Sequence, residues 1–116
     1  MKPECTNTFS LGWVEAWNEH DLDKIMHYYA DDFEMSSPVI KKIMNIECGI
    51  IKGKKEVRAY WEKAIKMSPD LHFEIITSFS GTNSVVIHYK GPRGLAAETF
   101  FFNSEGKVKS AYAHYE

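Results

Sequence analysis

The chain is poor in cysteine, proline and glycine: two, four and seven of its 116 residues. The two cysteines, Cys5 and Cys48, lack the spacing of a metal-ligand pair. The opening residues, Met1 to Thr6, lack the apolar core of a signal peptide. Both cysteines therefore read as free thiols in a reducing cytoplasm rather than as a disulfide. Positive charge is not in excess either, since the formal net charge is −2. That argues against nucleic-acid binding, which needs a basic stripe to neutralise phosphates. The pairs Lys41-Lys42 and Lys54-Lys55 read as solvated surface. No apolar run is long enough to cross a membrane. Repeats, low-complexity tracts and an interdomain linker are also lacking, so a single domain over 1–116 is expected.

Hydrophobic residues make up 44% of the chain, enough for a core without staples or metals. Phe9, Trp13, Ala16 and Trp17 recur at helical spacing, with Val14 widening the stripe, and predict a helix from about Thr8 to Glu19. Thr6, Asn7 and Thr8 are candidate N-caps. A short helix over about 21–30 follows, capped by Asp21 and buried through Leu22, Ile25, Met26 and Tyr29. Phe33 to Ser36 alternates as a strand does, and Pro38 ends it. Residues 39–52 read as an irregular hairpin of Val39-Ile40 and Ile50-Ile51. Val57, Tyr60, Trp61, Ala64 and Ile65 define a helix from Lys54 to about Met67, which Ser68-Pro69-Asp70 stops. Strands are then predicted over 71–79, 85–89, 95–102 and 107–115, separated by turn-forming sequences. The order is α-α-β-(β)-α-β-β-β-β. It gives an α+β fold in which three helices cover one face of an antiparallel sheet.

In the strand Leu95 to Phe102, Glu98, Phe100 and Phe102 share one face, while Leu95, Ala97, Thr99 and Phe101 share the other. Both faces are largely apolar, and the helices can cover one of them. The outer face is expected to pair with a second copy of the chain as a homodimer.

Three stretches carry a resemblance: "AWNEHDLDKIMHYYADDF", "GKKEVRAYWEKA" and "AAETFFFNSEGKVKSAYAHY". Together they resemble the nuclear-transport-factor-2-like superfamily, and within it the SnoaL-like and ketosteroid-isomerase-like small bacterial proteins. The resemblance runs from about Phe9 to Tyr115. It implies a cone, with a strongly curved sheet wrapped around a long helix and a cavity open at one end. It also implies a lining of Trp13, Tyr29 and Trp61 from the helices, and of Ile87, Tyr89, Glu98, Phe100, Ala111, Ala113 and Tyr115 from the sheet. Fold membership of this kind leaves function open, because isomerases, cyclases, dehydratases, hydrolases and binding proteins share it.

In the related isomerases, a tyrosine on the first helix donates to the substrate oxygen, an aspartate before a proline is the base, and a protonated acid is a second donor. Here the corresponding residues are Trp13, Ser37 and Glu98. A serine hydroxyl cannot take a proton near neutral pH without a neighbouring base. Isomerisation by that mechanism is therefore not expected. Glu98 remains as the candidate catalytic acid, with Ser37 among the candidate ligand contacts. A carboxyl beside Phe100 and Phe102 should be desolvated and its pKa raised, as suits a general acid. The competing reading pairs Glu98 with a buried Arg58, tyrosine or tryptophan as a structural element.

The five histidines, His20, His27, His72, His88 and His114, show no ligand spacing for a metal, and no cofactor is expected. His88 and His114 are placed on the outer face, near the expected dimer interface. Three functions compete: an acid/base enzyme acting on a hydrophobic, ring-bearing substrate through Glu98; a non-catalytic binder of an apolar ligand; and a dimeric adaptor whose cavity is only core.

Overall fold

Ten elements follow one another in the computed structural model, which describes residues 3–116 and side chains from residue 7 onward. They are α1 (Pro3–Asn18), α2 (Leu22–Met26), β1 (Tyr29–Ser36), α3 (Pro38–Met44), β2 (Ile50–Lys52), α4 (Lys54–Met67), β3 (Glu74–Gly81), β4 (Ser84–Gly91), β5 (Gly94–Phe102) and β6 (Val108–Tyr115). The thiol of Cys5 lies outside the described side chains; Cys48 is an exposed free cysteine.

The first helix begins five residues earlier than its apolar stripe indicates. Proline is well suited to a first helical position, because the N–H it lacks would be unpaired there. Thr6, Asn7 and Thr8 are accordingly helical rather than caps. The chain leaves α1 through His20, in the left-handed conformation at φ 57°. Asp21 then caps α2, accepting from the Lys24 N–H at 3.2 Å. That helix is five residues long and stops at Met26, so Tyr29 belongs to β1 and not to the second helix. Tyr28 is half-buried, its ring 5.5 Å from Phe9 and edge-on to it. Its hydroxyl occupies the space a Cβ at position 12 would need, which is why Gly12 fits there.

The hairpin expected over 39–52 is instead a helix and a short strand. Ser37 Oγ accepts from the Val39 N–H at 3.1 Å, and Pro38 takes the first helical position. Val39, Ile40 and Ile43 then face the core on one side of α3. Asn45, left-handed at φ 57°, ends it. Four helices, not three, therefore accompany the sheet.

The six strands form one sheet in the order β2-β1-β6-β5-β4-β3. Neighbours pair antiparallel except β1 and β6, which run parallel. The register bulges in β1 between Tyr29 and Glu34, in β3 between Ile75 and Thr77, and at the end of β5. Bulges bend and twist the strands that carry them. The concave side holds α1 and α4, and one apolar cluster runs from Phe9, Trp13 and Trp17 across to Val85, Ile87, Phe100 and Val108. The long contiguous β3–β4–β5–β6 ladder is the part of the sheet that local turns specify. The parallel β1–β6 pair joins chain segments some eighty residues apart.

Candidate functional site

Cross-strand register sorts the concave face into rows. Tyr89, Ala96 and Tyr115 form the outermost row, Ile87, Glu98 and Ala113 the next, and Val85, Phe100 and Ala111 the third. Phe102 against Val108 closes the far end. Along β5 alone the inward positions read Ala96, Glu98, Phe100, Phe102. A small residue is followed by an acid and then by two large rings. The cavity lies at the small-residue end.

It has a volume of about 280 Å³, at the small end of small-molecule sites. Trp13 and Trp17 of α1, Tyr60 and Trp61 of α4, Phe73, and Tyr89, Glu98 and Tyr115 of the sheet line it. The mouth lies between Met67 and Ser68, at the end of α4, and the β4–β5 turn Gly91-Pro92-Arg93-Gly94. Aromatic rings pack against one another in its wall: those of Trp13 and Phe73 stack at 5.4 Å with an interplanar angle of 11°. Trp17 meets Trp61 edge to face at 5.2 Å.

Glu98 is 4% exposed. The Tyr89 hydroxyl donates to its Oε1 at 3.1 Å. Burial penalises the charged carboxylate and pushes the pKa from 4.5 to about 7, while the Tyr89 bond pulls the other way. Arg58 is not its partner. That guanidinium pairs with Asp23 at 2.9 Å, on the surface. No cation neutralises Glu98 among the described ion pairs, so its carboxyl is held by burial and one phenol. Burial also raises Tyr89 and Tyr115, and the Glu98 charge raises both further. Burial raises Tyr60 as well, and the Tyr115 hydroxyl adds to this. These phenols are therefore hydrogen-bond donors and not bases at neutral pH.

Five of the expected residues meet at this cavity: Trp13, Trp61, Tyr89, Glu98 and Tyr115. The others do not line it. Ile87, Phe100, Ala111 and Ala113 are buried behind it, where the rows closer to the far end pack against α1. Tyr29 is also buried, and its hydroxyl accepts from Trp13 Nε1 at 3.0 Å. Burial raises the Tyr29 pKa well above its ordinary value, with the Glu98 charge adding to it. Ser37 is 2% exposed and its oxygen caps α3. It also favours the ionised forms of Tyr60 and Tyr115 as a hydrogen-bonding neighbour. The residue at the isomerases' base position thus works as a helix cap.

Sequence reasoning missed Trp17, Tyr60, Phe73 and Arg93 as lining residues. Trp17 and Tyr60 were visible only as members of helical apolar stripes. Phe73 precedes β3, and Arg93 sits in a turn, where alternation gives no direction. The Trp17 indole N–H is buried without a hydrogen-bond partner. It lies near enough to Tyr29 to favour that group's ionised form, but outside hydrogen-bonding geometry.

On the outer face, Thr99, Phe101, Lys109, Ser110, Tyr112 and His114 border a shallow depression. Phe101 and Tyr112 meet edge to face at 5.9 Å. His88 and His114 lie on either side of Ala97 in the register, with a strand between them. Among the described residues no group of three or more histidine, cysteine, aspartate or glutamate side chains could hold a metal, and no helix is long and apolar enough to cross a membrane.

The fold has counterparts among solved structures. A SnoaL-like protein of unknown function from Burkholderia thailandensis E264 is 48% identical, with 99% of this chain and 97% of that one covered, at a TM-score of 0.95. An NTF2-like protein of unknown function from Cytophaga hutchinsonii shares 15% identity over 96% of this chain and 89% of that one, at a TM-score of 0.74. The epoxide hydrolase/cyclase-like enzyme SalBIII, of pyran ring formation in the polyether salinomycin, shares 17% over 97% and 92%, at a TM-score of 0.77. The last two show the fold alone. No curated protein matches the chain. The SnoaL-like domain model matches residues 11–108, and the chain belongs to the SnoaL-like family.

Proposed function

We propose that this chain is a small-molecule pocket protein that performs acid/base chemistry on a hydrophobic, ring-bearing substrate, with Glu98 as the acid. The observation that carries the reading is a single carboxyl on an aromatic-walled cavity, in no ion pair among the described residues, with its pKa raised to about 7. Such a group is populated in both protonation states near neutral pH, so it can give a proton and take it back. Tyr89 and Tyr115 supply phenol donors beside it, and Trp13, Trp17, Trp61 and Phe73 line the cavity with aromatic rings suited to a ring-bearing ligand. A cyclase-like enzyme with the same fold is consistent with chemistry of this class. Trp13, Trp61, Tyr89 and Tyr115 are the proposed ligand contacts.

The alternative is a non-catalytic binder, and one observation favours it: Ser37 caps α3 where related isomerases place a base. The reading also includes a homodimer formed through the outer sheet face, supported by exposed Phe79, Phe101 and Tyr112, and a cytoplasmic location. Light scattering at micromolar concentration should give twice the chain mass; a monomer mass would remove the dimer.

A panel of cyclisable hydroxy-epoxides and ring-bearing enones, followed by mass spectrometry, tests the activity. Glu98→Gln should slow any conversion by at least about a hundredfold while binding changes little. Unchanged conversion in the variant would overturn the role of Glu98. Binding without conversion across the panel by the native protein would favour the binder.

A further inference from the structure

Arg93 is the cationic side chain on the cavity lining, and it also lines an adjoining groove with Pro38, Val39, Lys42, Pro92, Tyr115 and Glu116. The two depressions share Val39, Pro92, Arg93 and Tyr115, so they adjoin at the rim of the cavity. Arg93 stands at the tip of the β4–β5 turn, between Pro92 and a Gly94 held at φ 97°. Only glycine adopts that φ readily, and the Pro92 ring fixes the backbone φ on the other side of the guanidinium. The contrast with Arg58 is informative. Arg58 is paired with Asp23, whereas Arg93 makes no ion pair among the described residues. Glu116 shares the groove without pairing to it. The guanidinium nonetheless reaches the interior electrostatically, favouring the ionised forms of both Tyr60 and Tyr115.

We propose that the ligand of this cavity is an amphiphile, with an apolar ring system inside and an anionic group, a carboxylate or its equivalent, held at the mouth by Arg93 with Lys42 beside it. The inference rests on the pocket reading above and names the ligand class for it. An anionic group belongs at the mouth and not deeper, because the interior already holds an acid whose charged form burial disfavours. A second negative charge there would raise the cost further. At the rim, a planar guanidinium meets a carboxylate with two parallel N–H donors and solvent on the other side. This orientation would present the far end of the ring system to Glu98.

Two fluorescent probes that differ by one sulfonate separate the elements of the claim: anilinonaphthalene sulfonate and the uncharged N-phenylnaphthylamine. The native protein should bind the anionic probe about fivefold more tightly than the neutral one, the scale of a partly solvated ion pair. Arg93→Gln should abolish that preference and leave neutral-probe binding unchanged. Lys42→Gln should reduce the preference in part, and about 1 M sodium chloride should suppress it in the native protein. Equal affinity of the native protein for both probes, or equal loss of both in Arg93→Gln, would overturn the inference. Binding of the neutral probe in that case would leave the pocket reading standing. Failure of both probes to bind would sink both.

Discussion

At the closed end of the concave face, the ring of Phe9 meets those of Phe100 and Phe102 edge to face at 5.1 and 5.0 Å. Toward the open end, β4, β5 and β6 present Tyr89, Ala96, Glu98 and Tyr115 around a cavity. Both ends are built from consecutive inward positions of β5, and they differ only in which side chains occupy them. Where the inward residue is phenylalanine, the space between sheet and α1 is filled and the strand contributes stability. Where it is alanine or glutamate, space and a destabilised charge are left behind. A protein stable by about 5–15 kcal/mol in all can carry one such end because the other is closely packed.

Substitutions at the two ends should therefore act differently. The largest effect is expected at the closed end. Phe100→Ala removes a fully buried ring and should cost about 4 kcal/mol in urea unfolding. A loss under about 1 kcal/mol would mean that the closed end is not what holds the cone together.

The next effect belongs to Glu98 and has a sign. Between pH 4.5 and about 7 the folded carboxyl keeps its proton while the unfolded one has lost it. The folded state then binds more protons, so stability falls as pH rises through this interval. Below it the residue costs nothing through this route; above it the cost is about 3 kcal/mol. Unfolding free energies measured from about pH 4 to about pH 8 should show this decline in the native protein. Glu98→Gln should lack it. An unchanged slope would place the decline elsewhere.

These two ends were unequally legible in the amino-acid sequence. Alternation along 95–102 already put Glu98, Phe100 and Phe102 on one face, because strand side chains have a strict period of two. The amphipathic stripe of α4 was equally plain. Other elements were hidden for physical reasons. Pro38 reads as a strand stop, yet it also suits the first position of a helix, and Ser37 in front of it is a cap. Seven residues are too short for their apolar spacing to decide between helix and strand. Tyr29 followed three apolar positions in helical register, and the helix ended before it. The parallel β1–β6 contact has no local signal at all. Arg93 and Phe73 reach the cavity through a turn and a loop, whose directions depend on where the sheet bends.

Ser37 sharpens the comparison from a third position, between the cavity and the core. Ser37→Ala should lower stability by about 1 kcal/mol through loss of the α3 cap, read as a shift in the urea midpoint. If it also abolished turnover while folding normally, the serine would have a chemical role after all. The smallest effect is expected at Asp31 and Asp32, which are exposed on β1. Asp31→Asn and Asp32→Asn should each change stability by less than about 0.5 kcal/mol. A larger loss by thermal unfolding would show a structural role that their exposure does not suggest.

The carboxyl in "AAETFFF" should keep its proton through the acid range and be about half protonated in the folded protein at pH 7. Its own titration tests this most directly. The carbon-13 chemical shift of the Glu98 carboxyl, followed by NMR across the acid to neutral range and assigned by comparison with Glu98→Gln, should show a midpoint at about 7. A midpoint at the ordinary value of 4.5 would mean that Glu98 is a solvated surface-like acid, and the account of the cavity would be wrong.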